Sequence, residues 1–344
     1  MITRRTLLQA GVGMALGTTV APLLSVKDSL AGGQEARGRR LLFTVPVPTP
    51  LSQDLSLDLG AHRQLLEFYR RAGAHAVLAV ASTGEMLSIS WPEALQLTRQ
   101  ASAVFGPRGT WASLSRGSTV AACRSGIRQL ARAGAGTAIV VPGLLADASV
   151  SDAEALRRLL TVSQGSPLPL GLYEAIAPFH RLLRAQDLAQ LVEMGRYRLL
   201  KTTQASAAAV AAIAGQVPAG FAIYEANTSE LFAALEAGAT GITDFCAAAF
   251  PELLRYLCDQ WGPAGDPAKV QRVCAWIART DAALSSQLPF PLSVKVVLQR
   301  RGVPILPLSR QAVQDFTAEQ QQQAADLVQQ FDALCNDLGI SSLL

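Results

Sequence analysis

Short apolar runs and amphipathic stretches alternate along the chain from residue 40 onward. Each run ends in small or polar residues, which is typical of a buried strand followed by a turn. The pattern therefore predicts eight strands. They cover residues 41–47, 75–82, 110–115, 137–142, 168–174, 197–203, 221–226 and 240–245.

The stretches between these runs predict helices. Several begin with a capping residue or with proline in the first turn, as at Ser151 and Pro92, and several end on glycine. The predicted helices cover residues 58–72, 91–105, 118–133, 151–163, 185–194, 206–215, 229–237 and 251–261.

Eight strand–helix units in about 220 residues match the arithmetic of a (β/α)8 barrel. A doubly wound sheet is the rival, but it usually has a glycine-rich phosphate turn after its first strand. Here the first run leads into PVPTPLSQD, which contains no GxGxxG. We therefore predict an α/β fold, a (β/α)8 TIM barrel over residues 40–262. Three further helices, at about 266–283, 292–301 and 317–338, predict a C-terminal helical extension over residues 263–344.

The first 31 residues have a different composition from the rest. A short basic head precedes a moderately apolar segment, which is the layout of a signal peptide. The pair Arg4-Arg5 resembles a twin-arginine export signal, so we expect a periplasmic protein. An ordinary amphipathic N-terminal helix is the alternative.

Composition narrows the classes of function. Half of the 344 residues are hydrophobic and the formal net charge is only +4. No basic cluster points to nucleic acid, and after removal of the signal no apolar run reaches the roughly 18 residues of a membrane span. The five cysteines lack CxxC spacing, so we expect buried free thiols, with no metal and no cofactor.

Three polar features follow three different predicted strands, where the active site of a barrel lies. They are Lys201, Tyr173 and the segment Ser82-Thr83-Gly84-Glu85. A lysine at an apolar strand end loses hydration, so its pKa falls and its neutral amine can form a Schiff base with a ketone. A tyrosine can carry protons, and a small-residue turn can hold a carboxylate. Taken singly, Lys201 also fits a snorkelling surface lysine and Tyr173 a core aromatic residue.

Five motifs resemble those of the dihydrodipicolinate synthase / N-acetylneuraminate lyase family of class I aldolases. They occur in the family's order from about residue 40 to the end of the chain. They are ASTGE (81–85), LGLYE (170–174), LLK (199–201), GATGITDF (238–245) and LPFPLSVKVVLQRRG (288–302).

The resemblance implies a lyase or aldolase that acts on pyruvate or a related 2-keto acid, and on an aldehyde, as a homo-oligomer. Lys201 is implied as the Schiff-base nucleophile and Tyr173 as the proton carrier. The implied substrate-binding residues are Ser82, Thr83, Gly84 and Ile242.

Several positions depart from the family pattern. Pro178 stands where biosynthetic members have an arginine for the aldehyde's carboxylate, although His180 and Arg181 lie close by in sequence. Gly143 and Leu144 replace two tyrosines, of which the second completes a neighbouring subunit's proton relay.

These departures keep two alternatives open. The first is an exported, non-catalytic binding barrel that has lost turnover. The second is a metal site or a glycosidase-like carboxylate pair. Its candidate residues are Glu174, Glu225, Asp244 and His180.

Overall fold

The computed structural model describes residues 39–115, 117–311 and 314–344. The predicted signal segment, residues 1–31 with Arg4 and Arg5, lies outside these described residues.

Eight parallel strands form a closed barrel in which each strand pairs with the next and β8 pairs with β1. The predicted (β/α)8 barrel is therefore confirmed, and each predicted run contains one strand. The strands are β1 (Leu42–Pro46), β2 (Ala76–Leu78), β3 (Thr110–Ser113), β4 (Thr137–Val140), β5 (Leu170–Tyr173), β6 (Tyr197–Thr202), β7 (Ala222–Glu225) and β8 (Gly241–Ile242).

Local capping sets many of the helix boundaries, and the predicted bounds agree with the structure to within two residues. Ser90 and Glu93 form a reciprocal capping box at one helix, and Asp58 and Thr119 cap two others. The helices are α1 (Leu59–Arg71), α2 (Trp91–Phe105), α3 (Val120–Arg132), α4 (Pro142–Leu145), α5 (Asp152–Ser163), α6 (Ala185–Glu193), α7 (Ala207–Ala214), α8 (Leu231–Glu236), α9 (Phe245–Ala249), α10 (Pro251–Gln260), α11 (Pro267–Ala282), α12 (Leu292–Arg300) and α13 (Ala318–Leu338).

The pattern did not predict several short elements that follow the strands. They include α4, α9, the 3₁₀ turns Ser82–Gly84 and Thr228–Glu230, and a π-helical turn at Ala283–Gln287. Elements of one turn are too short to show a helical period. They shape the C-terminal end of the barrel, where the candidate site lies.

The C-terminal extension packs against the barrel through a cluster of aromatic rings. The Phe250 ring lies 5.2 Å from that of Trp276 and 4.8 Å from that of Phe331. The Arg301 guanidinium lies 4.4 Å from the centre of the Phe331 ring and donates to Glu252 Oε1 at 2.6 Å. This buried arrangement brings α11 and α12 toward the end of β8.

No helix in the described ranges is long and apolar enough to cross a membrane.

Candidate active site

Lys201 lies near the end of β6, buried to 5% exposure. Its Nζ donates to the Thr243 carbonyl oxygen at 2.8 Å and lies 4.7 Å from the centre of the Tyr173 ring. Parallel pairing of β5 with β6 places Tyr173 directly beside Lys201. The barrel therefore brings the two predicted catalytic residues together.

Burial lowers the pKa of Lys201 to about 8. Loss of hydration is the main cause, because it penalises the ammonium form. Asp244 and Asp281 act in the opposite direction, because a nearby negative charge favours the ammonium ion. The balance leaves an amine that can lose its proton close to physiological pH.

The Tyr173 hydroxyl bonds to the Ser82 hydroxyl at 2.9 Å. Burial raises the pKa of Tyr173, so the phenol is protonated at neutral pH. It is therefore a neutral phenol that can donate its proton and later take one back, with Ser82 as its hydrogen-bond partner.

The segment after β2 is held close to β1. A Cβ on Gly84 would lie 2.5 Å from the Val47 carbonyl oxygen, so a side chain at this position would force the backbones apart. Thr49 Oγ1 donates to the Gly84 carbonyl oxygen at 2.7 Å. Only glycine permits this close approach, which fixes where Ser82 and Thr83 lie.

Glu85 connects the same turn to the C-terminal extension. It is fully buried and has a left-handed backbone, with φ 60°. Its Oε1 accepts from Lys295 Nζ at 2.6 Å, and its Oε2 accepts from Ser309 Oγ and the Arg310 amide, each at 2.8 Å. The extension therefore positions the predicted carboxylate-binding turn.

A cavity of about 710 Å³ opens at this end of the barrel. Lys201, Tyr173 and Ser82 all line it, together with Thr203, which lies just after β6. The apolar part of the lining consists mainly of Met86, Leu87, Ile176, Ala177, Phe245 and Phe290.

Thr83, Gly84 and Ile242 lie outside that lining. Thr83 is 1% exposed, and Ile242 is fully buried in β8, where it pairs with Glu225 and Phe43. The structure thus places these three residues behind the cavity wall, and their binding roles stay predictions.

At Gly143, the first of the two positions where the family has tyrosines, the backbone of Phe179 occupies the side-chain space. A Cβ on Gly143 would lie 1.8 Å from the Phe179 carbonyl oxygen, so this position has no room for a side chain. The segment after β5 therefore lies where α4 would otherwise present a larger residue.

Arg181 is already engaged in structural contacts. Its guanidinium donates to Asp152 Oδ1 and to the carbonyl oxygens of Ala146, Asp147 and Val150, at 2.5–2.9 Å. His180 Nε2 bonds to Thr203 Oγ1 at 2.8 Å. Arg181 is therefore not available to replace the arginine that Pro178 displaces.

The four residues of the metal and glycosidase alternative do not form one cluster. Glu174 accepts from Leu183 N, Thr202 Oγ1, Thr203 N and Gln204 Nε2, at 2.7–3.3 Å. Glu225 Oε1 accepts from two adjacent backbone amides. Across the described ranges, no group of three or more His, Cys, Asp or Glu side chains could hold a metal ion.

Two contributors to the site had no signal in the amino-acid sequence. Thr243 provides the carbonyl oxygen that holds Lys201, and Asp281 enters the cavity wall from α11. The Thr243 contact uses a backbone carbonyl oxygen, which every residue type has, so the sequence cannot indicate it. Asp281 Oδ1 accepts a hydrogen bond from the Phe245 amide at 2.9 Å. The two residues are 36 positions apart in sequence, and only the fold brings them together.

Fold and site together define a class: a TIM barrel with a desolvated lysine at the C-terminal ends of its strands. A sequence profile of the Dihydrodipicolinate synthetase family matches residues 41–331, and the chain belongs to this family. The family match supports a lyase or aldolase.

Individual relatives agree with this assignment. The chain is 29% identical over 273 residues to the 4-hydroxy-tetrahydrodipicolinate synthase of Xanthomonas axonopodis pv. citri (strain 306), which covers 76% of this chain and 87% of that protein. Among solved structures it is similar to dihydrodipicolinate synthase DapA-2 from Bacillus anthracis, at 18% identity and a TM-score of 0.77, covering 85% and 98% of the two chains. It is also similar to YagE, a prophage protein of the dihydrodipicolinic acid synthase family from E. coli K12 in complex with pyruvate. That match has 20% identity, a TM-score of 0.76 and the same coverage.

Proposed function

We propose that this protein is a Schiff-base lyase or aldolase in which Lys201 forms an iminium with pyruvate or a related 2-keto acid. One observation carries the proposal: a buried amine with a lowered pKa lies in a cavity beside a protonated tyrosine. The pyruvate complex of the similar YagE barrel supports this choice of substrate class.

The first step uses the neutral form of the lysine. With a pKa of about 8, roughly a tenth of the Lys201 amine is unprotonated at pH 7, against less than a thousandth for an ordinary lysine. The amine attacks the keto carbon, and loss of water gives the iminium. The iminium then withdraws electrons from the neighbouring carbon, where a carbon–carbon bond forms or breaks.

Tyr173 is the proton carrier for the bond-making step. Its hydroxyl is held by Ser82 and its ring lies against the Lys201 amine, so a substrate on Lys201 lies within reach of the phenol. Ser82 also lines the cavity, where its hydroxyl can hold the keto acid's carboxylate.

The cavity leaves room for a second substrate next to the keto acid. At about 710 Å³ it exceeds what a three-carbon acid fills, and much of its wall is apolar. An aldehyde is the partner that the resemblance implies. Leu144 stands where the second tyrosine would complete a neighbouring subunit's relay, so we expect each subunit of a homo-oligomer to act alone.

Borohydride trapping tests the function. Incubation with pyruvate and borohydride should add one reduced pyruvate to the chain, on a peptide that contains Lys201. If neither pyruvate nor a related 2-keto acid gives such an adduct, the aldolase proposal is wrong.

A second candidate is a binding barrel without turnover. The observation that favours it is the close approach of Gly143 to the Phe179 backbone, which leaves no room for the first of the family's two tyrosines, while Leu144 stands in place of the second, the relay residue. Such a protein would bind a keto acid with the same affinity after Lys201→Met, whereas the aldolase would lose covalent binding. Calorimetric titration of both forms with pyruvate separates the two.

Export to the periplasm through Arg4-Arg5 is a further proposal, motivated by the sequence of residues 1–31. Replacing both arginines by lysine should keep the protein in the cytoplasm. Unchanged periplasmic accumulation would contradict twin-arginine routing.

A further inference from the structure

Two buried carboxyl groups lie beside Lys201 in the cavity wall. Asp244 immediately precedes α9 and is 1% exposed, and Asp281 lies in α11 and is 7% exposed. Both line the cavity, and both act electrostatically on the Lys201 amine. The mechanism proposed above gives neither of them a role.

The hydrogen bonds of the two carboxyl groups differ. Asp281 Oδ1 accepts from the amides of Phe245 at 2.9 Å and Cys246 at 3.4 Å. Asp244 Oδ1 caps α9 by accepting from the Ala247 amide at 2.7 Å. Asp244 Oδ2 is buried and has no hydrogen-bond partner among the described residues. An ionised oxygen without a donor is costly in such a place, whereas a protonated one can donate.

The surrounding charges favour a proton on Asp244. Burial raises its pKa well above the usual range, and the charge of Asp281 raises it further, while Lys201 opposes the shift. Burial also raises the pKa of Asp281, to about 6, but the Phe245 and Cys246 amides and the Thr228 hydroxyl stabilise its charged form. Repulsion between the two carboxylates favours a pair that holds one proton, and the hydrogen bonds to Asp281 favour Asp244 as the group that carries it.

We propose that Asp244 is the acid that protonates the departing oxygen when Lys201 condenses with the keto acid, and that Asp281 keeps that proton on Asp244. This inference rests on the proposed function. It adds a catalytic residue, Asp244, and a positioning residue, Asp281, to the Schiff-base site.

The step balances without another reactant. The Lys201 amine adds to the keto carbon, and a proton passes from nitrogen to the new alkoxide, which gives a neutral carbinolamine. Asp244 then donates its proton to the hydroxyl, the carbon–oxygen bond breaks and water leaves. The nitrogen lone pair forms the C=N bond. The products are a cationic iminium, water and an Asp244 carboxylate, whose charge stabilises the iminium beside it.

The position of Asp244 fits this step. Lys201 Nζ is held by the carbonyl oxygen of Thr243, the residue immediately before Asp244. Asp244 lines the same cavity as Lys201, and its Oδ2 has no hydrogen-bond partner among the described residues, so that oxygen is uncommitted and can carry the proton. Tyr173 lies on β5, and its hydroxyl bonds to Ser82. It has no part in this dehydration and remains available for the carbon–carbon bond step.

Asp244→Asn tests the role of the proton. The amide retains an oxygen that can cap α9 but cannot supply the acid proton. The rate of pyruvate adduct formation, measured by rapid mixing and borohydride quenching, should fall by about 10²–10⁴. Asp244→Ser keeps a capping oxygen as well and should show the same loss. Asp58→Asn is the matched control, since Asp58 caps α1 by accepting from the Ala61 amide at 2.9 Å and lies outside the cavity lining, and its rate should stay unchanged.

The pH profile separates an acid from a structural cap. In the wild type the rate should have two limbs, a rise as Lys201 loses its proton and a fall as Asp244 loses its own. Asp244→Asn should remove the falling limb. Asp281→Asn removes a negative neighbour, so the pKa of Asp244 and that of Lys201 should both fall, and both limbs should move to lower pH. Cys246 also lies near Asp244, but burial keeps it a neutral thiol in each variant.

Two results would overturn the inference. If the wild type forms the adduct and Asp244→Asn forms it at the same rate with the same pH profile, Asp244 is only a helix cap. If the wild type forms no adduct, the proposed function fails and this inference fails with it. The wild-type reaction therefore distinguishes the two failures.

Discussion

Lys201 and Lys295 are two buried lysines with opposite environments. Lys295 is fully buried and donates to the Glu85 carboxylate at 2.6 Å and to the Leu308 carbonyl oxygen at 2.5 Å. Lys201 donates to the Thr243 carbonyl oxygen and faces the cavity, with no carboxylate within hydrogen-bond distance in the described ranges. Burial lowers the pKa of both amines, but Glu85 directly opposes the shift at Lys295. The bonding partner and the adjoining cavity, rather than burial, therefore distinguish a reactive lysine from a structural one.

The largest expected effect is that of Lys201→Met. It should abolish both the pyruvate adduct and turnover, because no other group can form the covalent intermediate. The free energy of unfolding should stay the same or rise by up to about 3 kcal/mol, since the burial cost of the amine disappears. Intact mass and thermal unfolding measure the two effects. A variant that still forms the adduct would show that another amine reacts.

Tyr173→Phe should have the next largest effect. The ring that packs against Lys201 remains, so the adduct should still form. Turnover should fall by about 10²–10⁴, because the bond-making step loses its proton carrier. Parallel assays of trapping and turnover check this. If trapping falls in proportion to turnover, Tyr173 acts in iminium formation and the division of roles with Asp244 is wrong.

Lys295→Met should behave in the opposite way to Lys201→Met. It leaves Glu85 buried without its ion-pair partner, and we expect a loss of about 3–5 kcal/mol in the free energy of unfolding. Urea denaturation measures the loss. The double variant Lys295→Met with Glu85→Gln removes both charges and should recover part of it. Equal stability of Lys295→Met and the wild type would show that the pair does not hold the turn after β2.

The smallest expected effect is on the pH dependence of stability. The folded pKa of Lys201, about 8, lies below its unfolded value of 10.5, so the unfolded chain binds more protons between these pH values. Lys201 should therefore contribute stability that rises with pH through this window. Melting temperatures of the wild type and Lys201→Met should converge between pH 8 and pH 10. A constant difference would contradict the lowered pKa.

The alternation of apolar runs and amphipathic stretches predicted the barrel because each unit carries its own signal. Strand runs and capped helices are local features, as with Ser90 at α2. Lys201 and Tyr173 were predictable for a similar reason, since residues at strand ends meet at one end of a barrel.

The rest of the site depends on contacts between distant segments. Glu85 and Lys295 lie 210 residues apart, and no local pattern pairs them. The close approach of Gly143 to Phe179 is likewise a backbone contact that residue types do not report. The position of Ile242 behind the cavity wall follows from the register of β8, which has only two residues and a weak period.

The most direct test of the central claim is borohydride trapping of the wild-type protein with pyruvate, read by intact mass and peptide mapping. The chain has only four lysines, at positions 27, 201, 269 and 295, so the modified position is easily assigned. Lys269 is exposed, and Lys269→Arg serves as the control for non-specific reaction. The account predicts one reduced pyruvate per chain, on Lys201, in both the wild type and Lys269→Arg. No adduct, or an adduct that disappears in Lys269→Arg, would contradict it.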